Sequence, residues 1–154
     1  MQILEILSID NIKMTLESKN KKDVIKELVD VLVKSGKIKD KKRMVQILME
    51  REELGSTGIG QGIAIPHGKS DTVSELTAAF GLSQEGISFD ALDGESVNIF
   101  ILLVAPEGAA GQHLKALARI SSLLKDKYFR KSLLSAKSPE EIVKIIQEEE
   151  KLKH

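Results

Sequence analysis

The 154-residue chain balances 23 Lys and Arg residues against 23 Asp and Glu residues, so its formal net charge is zero. This balance argues against binding to nucleic acid or to an anionic membrane surface, because both interactions depend on excess positive charge. The chain has no cysteine, which excludes disulfides, thiolate catalysis and cysteine-ligated zinc. Hydrophobic residues make up 42% of the chain, enough for one core, and we expect a single domain over residues 1–154.

The apolar segments indicate a protein of the cytoplasm. The longest apolar run extends from Ile99 to Ala105, which is much shorter than the about 20 residues that cross a bilayer. No basic region precedes the first apolar residues, so we expect no signal peptide and no direct membrane insertion. The run at Ile99 instead predicts a strand that is buried on both faces.

The first third of the chain predicts one strand and two helices. Residues Lys13–Ser18 alternate between apolar and polar side chains, as in a half-buried strand. Asn20 fits the N-cap of a helix over Lys21–Ser35, and Gly36 fits its end. A second amphipathic helix is predicted over Asp40–Glu53.

Strands and helices also alternate in the rest of the chain. Asp93-Gly94 is a turn signal between two of the predicted strands, and Ser138 with Pro139 marks the start of the last helix. This order predicts an α/β fold in which helices pack on one mixed sheet. The predicted strands are Ile63–Ile65, Leu76–Leu82 and Val97–Val104, and the predicted helices are Gly111–Lys125, Phe129–Leu134 and one from Pro139 onward.

A glycine-rich segment suggests a phosphate site. Residues 51–69 read REELGSTGIGQGIAIPHGK and hold five of the 11 glycines of the chain. Glycine permits the backbone angles that turn several N–H groups toward one anion. The spacing matches neither a P-loop nor a dinucleotide-binding fingerprint. The residues predicted to bind phosphate are Ser56, Thr57, Gly58, Gly60 and Gln61.

His67 is the candidate nucleophile of this segment. It lies between Pro66, which fixes the chain, and Gly68, which leaves room for a partner. A neutral imidazole is nucleophilic near pH 7, and phosphoryl transfer needs an in-line nucleophile with donors around the transferred oxygens. His113, in the first turn of a predicted helix, and the Arg51 guanidinium are the predicted supporting groups.

Structural roles remain open for several of these residues. His113 could satisfy backbone groups at the start of a helix, and Arg51 could be a solvated helix residue. Ser56 and Thr57 could cap a turn only. His154 is the last residue of the chain, and we expect it to be disordered.

The segment LGSTGIGQGIAIPHGK resembles the active-site signature of one family, the type 2 enzyme IIA domains of the phosphoenolpyruvate-dependent sugar phosphotransferase system. This fructose/mannitol class includes the nitrogen-regulatory IIA proteins. Arg51 before the signature and the stretch QHLKALARISSLL after it match the family in the same order. The resemblance implies one three-layer domain, with a mixed five-stranded sheet flanked by helices on both sides.

The same resemblance implies a phosphotransferase component with a phosphohistidine intermediate. His67 would receive a phosphoryl group from the phosphocarrier HPr and pass it to a cysteine of a IIB domain, with His113 and Arg51 as supporting site residues. Neither a metal nor an organic cofactor is expected. Three functions stay open: uptake of a fructose-like or mannitol-like sugar, regulatory binding to target proteins, and non-covalent anion binding.

Overall fold

The structure is a computed structural model that describes residues 1–153, so the prediction for His154 lies outside the described residues. Five α-helices follow two short 3₁₀ turns near the start of the chain. The helices are α1 (Lys21–Lys34), α2 (Lys41–Glu53), α3 (Ala110–Leu124), α4 (Lys127–Ser135) and α5 (Pro139–Leu152). The strands are β1 (Ile12–Lys13), β2 (Gly58–Gly60), β3 (Ile63–Ala64), β4 (His67–Lys69), β5 (Thr77–Ile87) and β6 (Val97–Ala105).

The six strands form one mixed sheet in the order β1-β5-β6-β3-β2, with β4 paired to β6 beyond β3. Strands β5 and β6 are antiparallel, whereas β3 and β4 both run parallel to β6. Only Ile65 and Pro66 separate β3 from β4, and proline has no N–H to donate to a ladder. The two therefore lie along one edge of β6 as an interrupted strand, which accounts for six strands where the family resemblance implied five.

Both faces of the sheet are covered by helices, which confirms the predicted three-layer α/β fold. Successive side chains of a strand point to opposite faces. Three side chains of β6 lie in the core with α3, α4 and α5, and the alternate three lie in the core with α1 and α2. The first set is Ile99, Ile101 and Leu103, and the second is Phe100, Leu102 and Val104.

Side-chain caps fix the starts of three helices, two at the predicted caps and one at Asp40, which the sequence predicts as the first residue of its helix. Asn20 accepts a hydrogen bond from the Asp23 N–H at 2.9 Å, and Asp40 accepts one from the Arg43 N–H at 3.0 Å. Ser138 caps α5 in the same way. These contacts bridge only three residues, so local sequence was sufficient to predict them.

The predicted strand over Lys13–Ser18 is wrong beyond its first residue. Strand β1 spans only Ile12–Lys13. The backbone N–H groups of Glu17 and Ser18 donate to the Glu27 carboxylate at 3.0 Å each, instead of to a neighbouring strand. An α1 side chain thus replaces the sheet partner, and the alternating pattern could not show this.

Gly68 lets α2 pack closely on β4. A Cβ atom at this position would lie 3.0 Å from Ile47 Cγ2 and 3.2 Å from Met44 Cε. We expect Gly68→Val to lower the free energy of unfolding by about 1–3 kcal/mol, because the added atoms overpack this contact. Gly108→Val is the matched control, since nothing lies within 4 Å of a Cβ there. Urea unfolding measures both, and equal stability of the two variants would contradict the close packing.

Candidate functional site

The structure brings His67 and His113 together at one end of the sheet. His67 is the first residue of β4 and pairs with Leu103, near the end of β6. The chain leaves β6 at Ala105 and enters α3 at Ala110, so the first turn of α3 lies at this end too. The centroids of the two imidazole rings are 5.5 Å apart, with an edge-to-face angle of 68°.

The backbone determines which nitrogen of His67 is free. Nδ1 lies 2.8 Å from the Ile65 carbonyl oxygen. A carbonyl oxygen can only accept a hydrogen bond, so Nδ1 carries the proton of the neutral ring and Nε2 carries the lone pair. The side chain is half-buried. Nε2 is therefore the atom of His67 that can attack an electrophile.

Burial keeps the His67 ring neutral near pH 7. It lowers the pKa of His67 below the usual 6.5, and the Arg51 charge acts in the same direction. The hydrogen bond to the Ile65 carbonyl and the charge of Glu52 both oppose this change. A neutral ring is required for attack, because a protonated nitrogen has no lone pair.

His113 is more deeply buried than His67. It is 6% exposed, and its Nε2 has no hydrogen-bond partner within residues 1–153. Burial lowers the pKa of His113 to about 4, with further contributions from the charges of His67 and Lys69. His113 is thus a neutral group with an unused polar atom beside the candidate nucleophile.

This lowered pKa predicts a loss of stability in acid. Below pH 6.5 the unfolded chain gains a proton at His113 that the folded protein does not take up until about pH 4. Stability that is fully present above pH 6.5 is therefore lost as the pH falls through this window. Between pH 7 and pH 4.5, we expect the wild type to lose about 2 kcal/mol more free energy of unfolding than His113→Gln. Urea unfolding measures both proteins, and an equal loss of free energy of unfolding in the two would contradict a buried neutral His113 ring.

Arg51 lies in the last turn of α2, at the start of the glycine-rich segment. Its Nη1 donates to the Gly55 carbonyl at 2.9 Å, which ties the side chain to the segment. Its charge lowers the pKa of His67, so it acts on that ring through space. A guanidinium has five N–H donors, and one bond to Gly55 leaves others for an anion.

The glycine-rich segment forms a β-hairpin, and protein groups already engage several of its donors. The Ser56 hydroxyl donates to the Phe89 carbonyl at 2.6 Å and accepts from the Gly58 N–H at 3.0 Å. The Thr57 hydroxyl donates to the Glu52 carboxylate. The Gln61 N–H donates to Asp93 Oδ2 at 3.0 Å. The bonds of Ser56 and Thr57 support the turn-capping role that the sequence left open, while phosphate binding by these two residues stays a prediction.

The structure does not bring Gly60 and Gln61 to His67. Gly60 pairs with Ile63, and Ile63 and His67 lie opposite Ile99 and Leu103 of β6. Four residues of extended strand span about 13 Å, and Gln61 lies still farther along the hairpin. These two residues are therefore left out of the function proposed below.

Sequence reasoning missed Glu52 and Lys69 at the site. Lys69 lies two residues after His67 in β4, so both side chains point to the same face of the sheet, and this spacing was a usable signal. Glu52 belongs to a charged run that resembles a solvated helix face. It is nevertheless only 6% exposed, because its carboxylate contacts Lys21 and Thr57. The linear sequence does not show that these residues lie beside it.

Residues 1–153 contain neither a membrane-spanning helix nor a cluster of metal-binding side chains. No helix in this range is long and apolar enough to cross a membrane. No group of three or more His, Asp or Glu side chains in it lies close enough together to hold a metal ion.

The fold and the site together define an α/β protein with two neighbouring neutral histidines at one end of its sheet. The family described as phosphoenolpyruvate-dependent sugar phosphotransferase system, EIIA 2, matches residues 5–149. The chain therefore belongs to this family of phosphotransferase-system components. The match covers the whole sheet and both histidines of the site.

Similar proteins carry both transport and regulatory names. The chain is 43% identical over 151 residues to the fructose-specific EIIABC component of Bacillus subtilis; the match covers 98% of this chain and 24% of that protein. The chain thus spans about a quarter of this relative. The nitrogen regulatory protein IIA-Ntr of Neisseria meningitidis has 37% identity and a TM-score of 0.86, covering 92% of this chain and 97% of that one.

A second similar structure is a complex of two proteins from Escherichia coli, enzyme IIAMTL and phosphorylated enzyme IIBMTL. Its matching chain has a TM-score of 0.79 and 22% identity, and the match covers 92% of this chain and 99% of that one. At 22% identity, this similarity shows only that the two proteins share a fold.

Proposed function

We propose that this chain is a cytoplasmic phosphocarrier that accepts a phosphoryl group on His67 from phospho-HPr and passes it to a IIB domain. The acceptor atom is Nε2, and residues 1–154 act as one IIA domain in uptake of a fructose-like or mannitol-like sugar. The supporting observation is the bond from Nδ1 to the Ile65 carbonyl at 2.8 Å. That bond leaves an unprotonated Nε2 on a ring that burial keeps neutral near pH 7.

Both transfer steps are simple displacements at phosphorus. The Nε2 lone pair of His67 forms a bond to the phosphorus of phospho-HPr, and the N–P bond of the donor breaks with its electron pair returning to the donor imidazole. A IIB thiolate then attacks the same phosphorus, and the His67 ring recovers its electron pair. Neither step needs an oxidant or a metal, and both need stabilised phosphoryl oxygens.

Four groups around His67 suit those oxygens. The neutral His113 ring can donate one hydrogen bond, and the Arg51 guanidinium adds positive charge and further donors. The N-cap residue of α3, Ala109, provides no side-chain cap, so the first N–H groups of this helix are available to an anion. Lys69 adds a positive charge near His113.

The surroundings of the site favour a protein partner. Leu114, which directly follows His113, is 68% exposed, and Leu54, between Arg51 and Ser56, is 85% exposed. We propose that these two leucines contact the partner protein, because exposed apolar side chains can be buried at a protein interface. The E. coli IIAMTL–IIBMTL complex, in which a protein of the same fold is bound to a phosphorylated IIB, supports a IIB domain as one such partner.

A regulatory role is the second candidate. The similarity to IIA-Ntr of N. meningitidis extends over 97% of that chain, whereas the fructose-specific relative from B. subtilis is about four times as long as the region that this chain matches. In this alternative, the phosphorylation state of His67 controls binding to target proteins, and no sugar permease receives the phosphoryl group.

One relay assay tests both roles. The purified chain is incubated with phosphoenolpyruvate, enzyme I and HPr, and the phosphorylated product is then mixed with a panel of IIB domains. Labelling followed by transfer to a IIB domain is expected for the transport role. Labelling without transfer to any IIB domain would favour the regulatory role, and no labelling would contradict both.

A further inference from the structure

A buried ion pair lies next to the site without a role in the chemistry described above. The Glu52 side chain is 2% exposed, and its Oε1 lies 3.0 Å from Lys21 Nζ, whose side chain is 17% exposed. Glu52 is in the last turn of α2, where the helix dipole disfavours a negative charge. Burying a charge at this end of a helix is costly, so its contacts require an explanation.

The Glu52 carboxylate holds the loop between α2 and β2. Its Oε1 accepts the Thr57 N–H at 3.0 Å, and its Oε2 accepts the Thr57 hydroxyl. Hydrogen bonds to a charged acceptor are about twice as strong as neutral ones. Lys21, which also packs over the Phe89 ring at 4.8 Å, fixes the carboxylate from the other side. Thr57 is therefore held at both its backbone and its side chain.

From Thr57 the contacts continue to the nucleophile. The Thr57 carbonyl accepts the Ile65 N–H at 3.0 Å, and the Ile65 carbonyl accepts the Nδ1–H of His67 at 2.8 Å. The position of the Ile65 carbonyl determines both the ring orientation and the protonated nitrogen. Four hydrogen bonds, two of which join Glu52 to Thr57, thus connect the buried Lys21–Glu52 pair to the imidazole.

We propose that Glu52 is a positioning residue for His67, acting through Thr57 and the Ile65 carbonyl to hold the ring with Nε2 free for phosphoryl transfer. This role rests on the proposed function of His67. Glu52 does not touch the reacting atoms. Its negative charge also raises the pKa of His67 against the effects of burial and Arg51, which keeps Nε2 more basic than the site would otherwise allow.

The test compares Glu52→Gln with Glu53→Gln. Glutamine keeps the shape of Glu52 and removes its charge, and the neighbouring Glu53 is exposed. In Glu52→Gln we expect phosphorylation of His67 by phospho-HPr to slow about tenfold or more, with KM for HPr unchanged. We also expect a lower titration midpoint for His67 in NMR, together with a weaker ¹⁵N signature of the Nδ1–H form. Glu53→Gln should match the wild type in all of these.

Two further variants test the same proposal if Glu52→Gln does not fold. The double variant Lys21→Met with Glu52→Gln removes both charges of the pair and avoids an unpaired buried ammonium. Thr57→Val removes the hydroxyl link alone. A slowed rate and a shifted His67 titration in either folded variant would support the positioning role, whereas wild-type rates and midpoints in both would overturn it.

The NMR titration separates this inference from the proposed function. If the wild type is not phosphorylated, the function of His67 fails, but the titration still reports whether Glu52 controls the ring. If Glu52→Gln leaves the titration midpoint and the tautomer of His67 unchanged, the positioning role is overturned. This holds even if the wild type is a fully active phosphocarrier.

Discussion

Replacing His67 by alanine is expected to abolish phosphoryl labelling of this chain by phosphoenolpyruvate, enzyme I and HPr. The imidazole is the acceptor, and alanine leaves no nucleophile in its place, so the loss should be complete. His67 is half-buried at the start of β4, and alanine fits the strand, so the fold should persist. Labelling is measured as an acid-labile, base-stable adduct after gel separation.

Gln147→Ala is the control for this loss, because Gln147 is exposed on α5, a helix that supplies no residue to the site. It should label like the wild type. Labelling of the wild type should also persist somewhat below pH 6.5, since the pKa of His67 is lowered by burial. Equal labelling of His67→Ala and the wild type would show that another residue accepts the phosphoryl group.

Replacing His113 by alanine is expected to slow transfer about a hundredfold without abolishing it. Removing one donor from a group of oxyanion-stabilising hydrogen bonds costs about 10² to 10³ in rate. Arg51 and the nucleophile remain in this variant, so transfer continues. Rapid-quench measurement of phosphoryl transfer from phospho-HPr gives the rate directly.

His113→Gln tests whether the lower transfer rate of His113→Ala results from the missing hydrogen-bond donor. An amide can also donate a hydrogen bond, so this variant should recover part of the rate lost in His113→Ala. Circular dichroism confirms that both variants are folded. Complete loss in a folded His113→Ala protein would mean that His113 is as essential as His67 and that the division of roles is wrong.

Local signals predicted the helices well. Asn20 and Ser138 cap the helices that the sequence assigns to them, because a cap needs only the next three residues. The apolar run at Ile99 is buried on both faces of the central strand, as a continuous hydrophobic segment predicts. Short patterns also singled out His67, His113 and Arg51 as candidates, and the structure places the two histidine rings 5.5 Å apart.

Long-range contacts explain what the sequence did not show. Glu27 replaces the strand partner of residues 17 and 18, and no local pattern shows that α1 lies there. The sequence assigned no strand to residues 58–60, but Gly58–Gly60 forms the edge strand β2 because it pairs with β3. Glu52 looked solvated, yet the folded chain buries it against Lys21 and Thr57.

The most direct test of the phosphocarrier role is ³¹P and ¹⁵N NMR of the chain after phosphorylation by the HPr relay. The structure predicts one phosphohistidine, at His67, with phosphorus bonded to Nε2 and a proton retained on Nδ1. Phosphorus bonded to Nδ1 of His67, or carried by another residue, would contradict it.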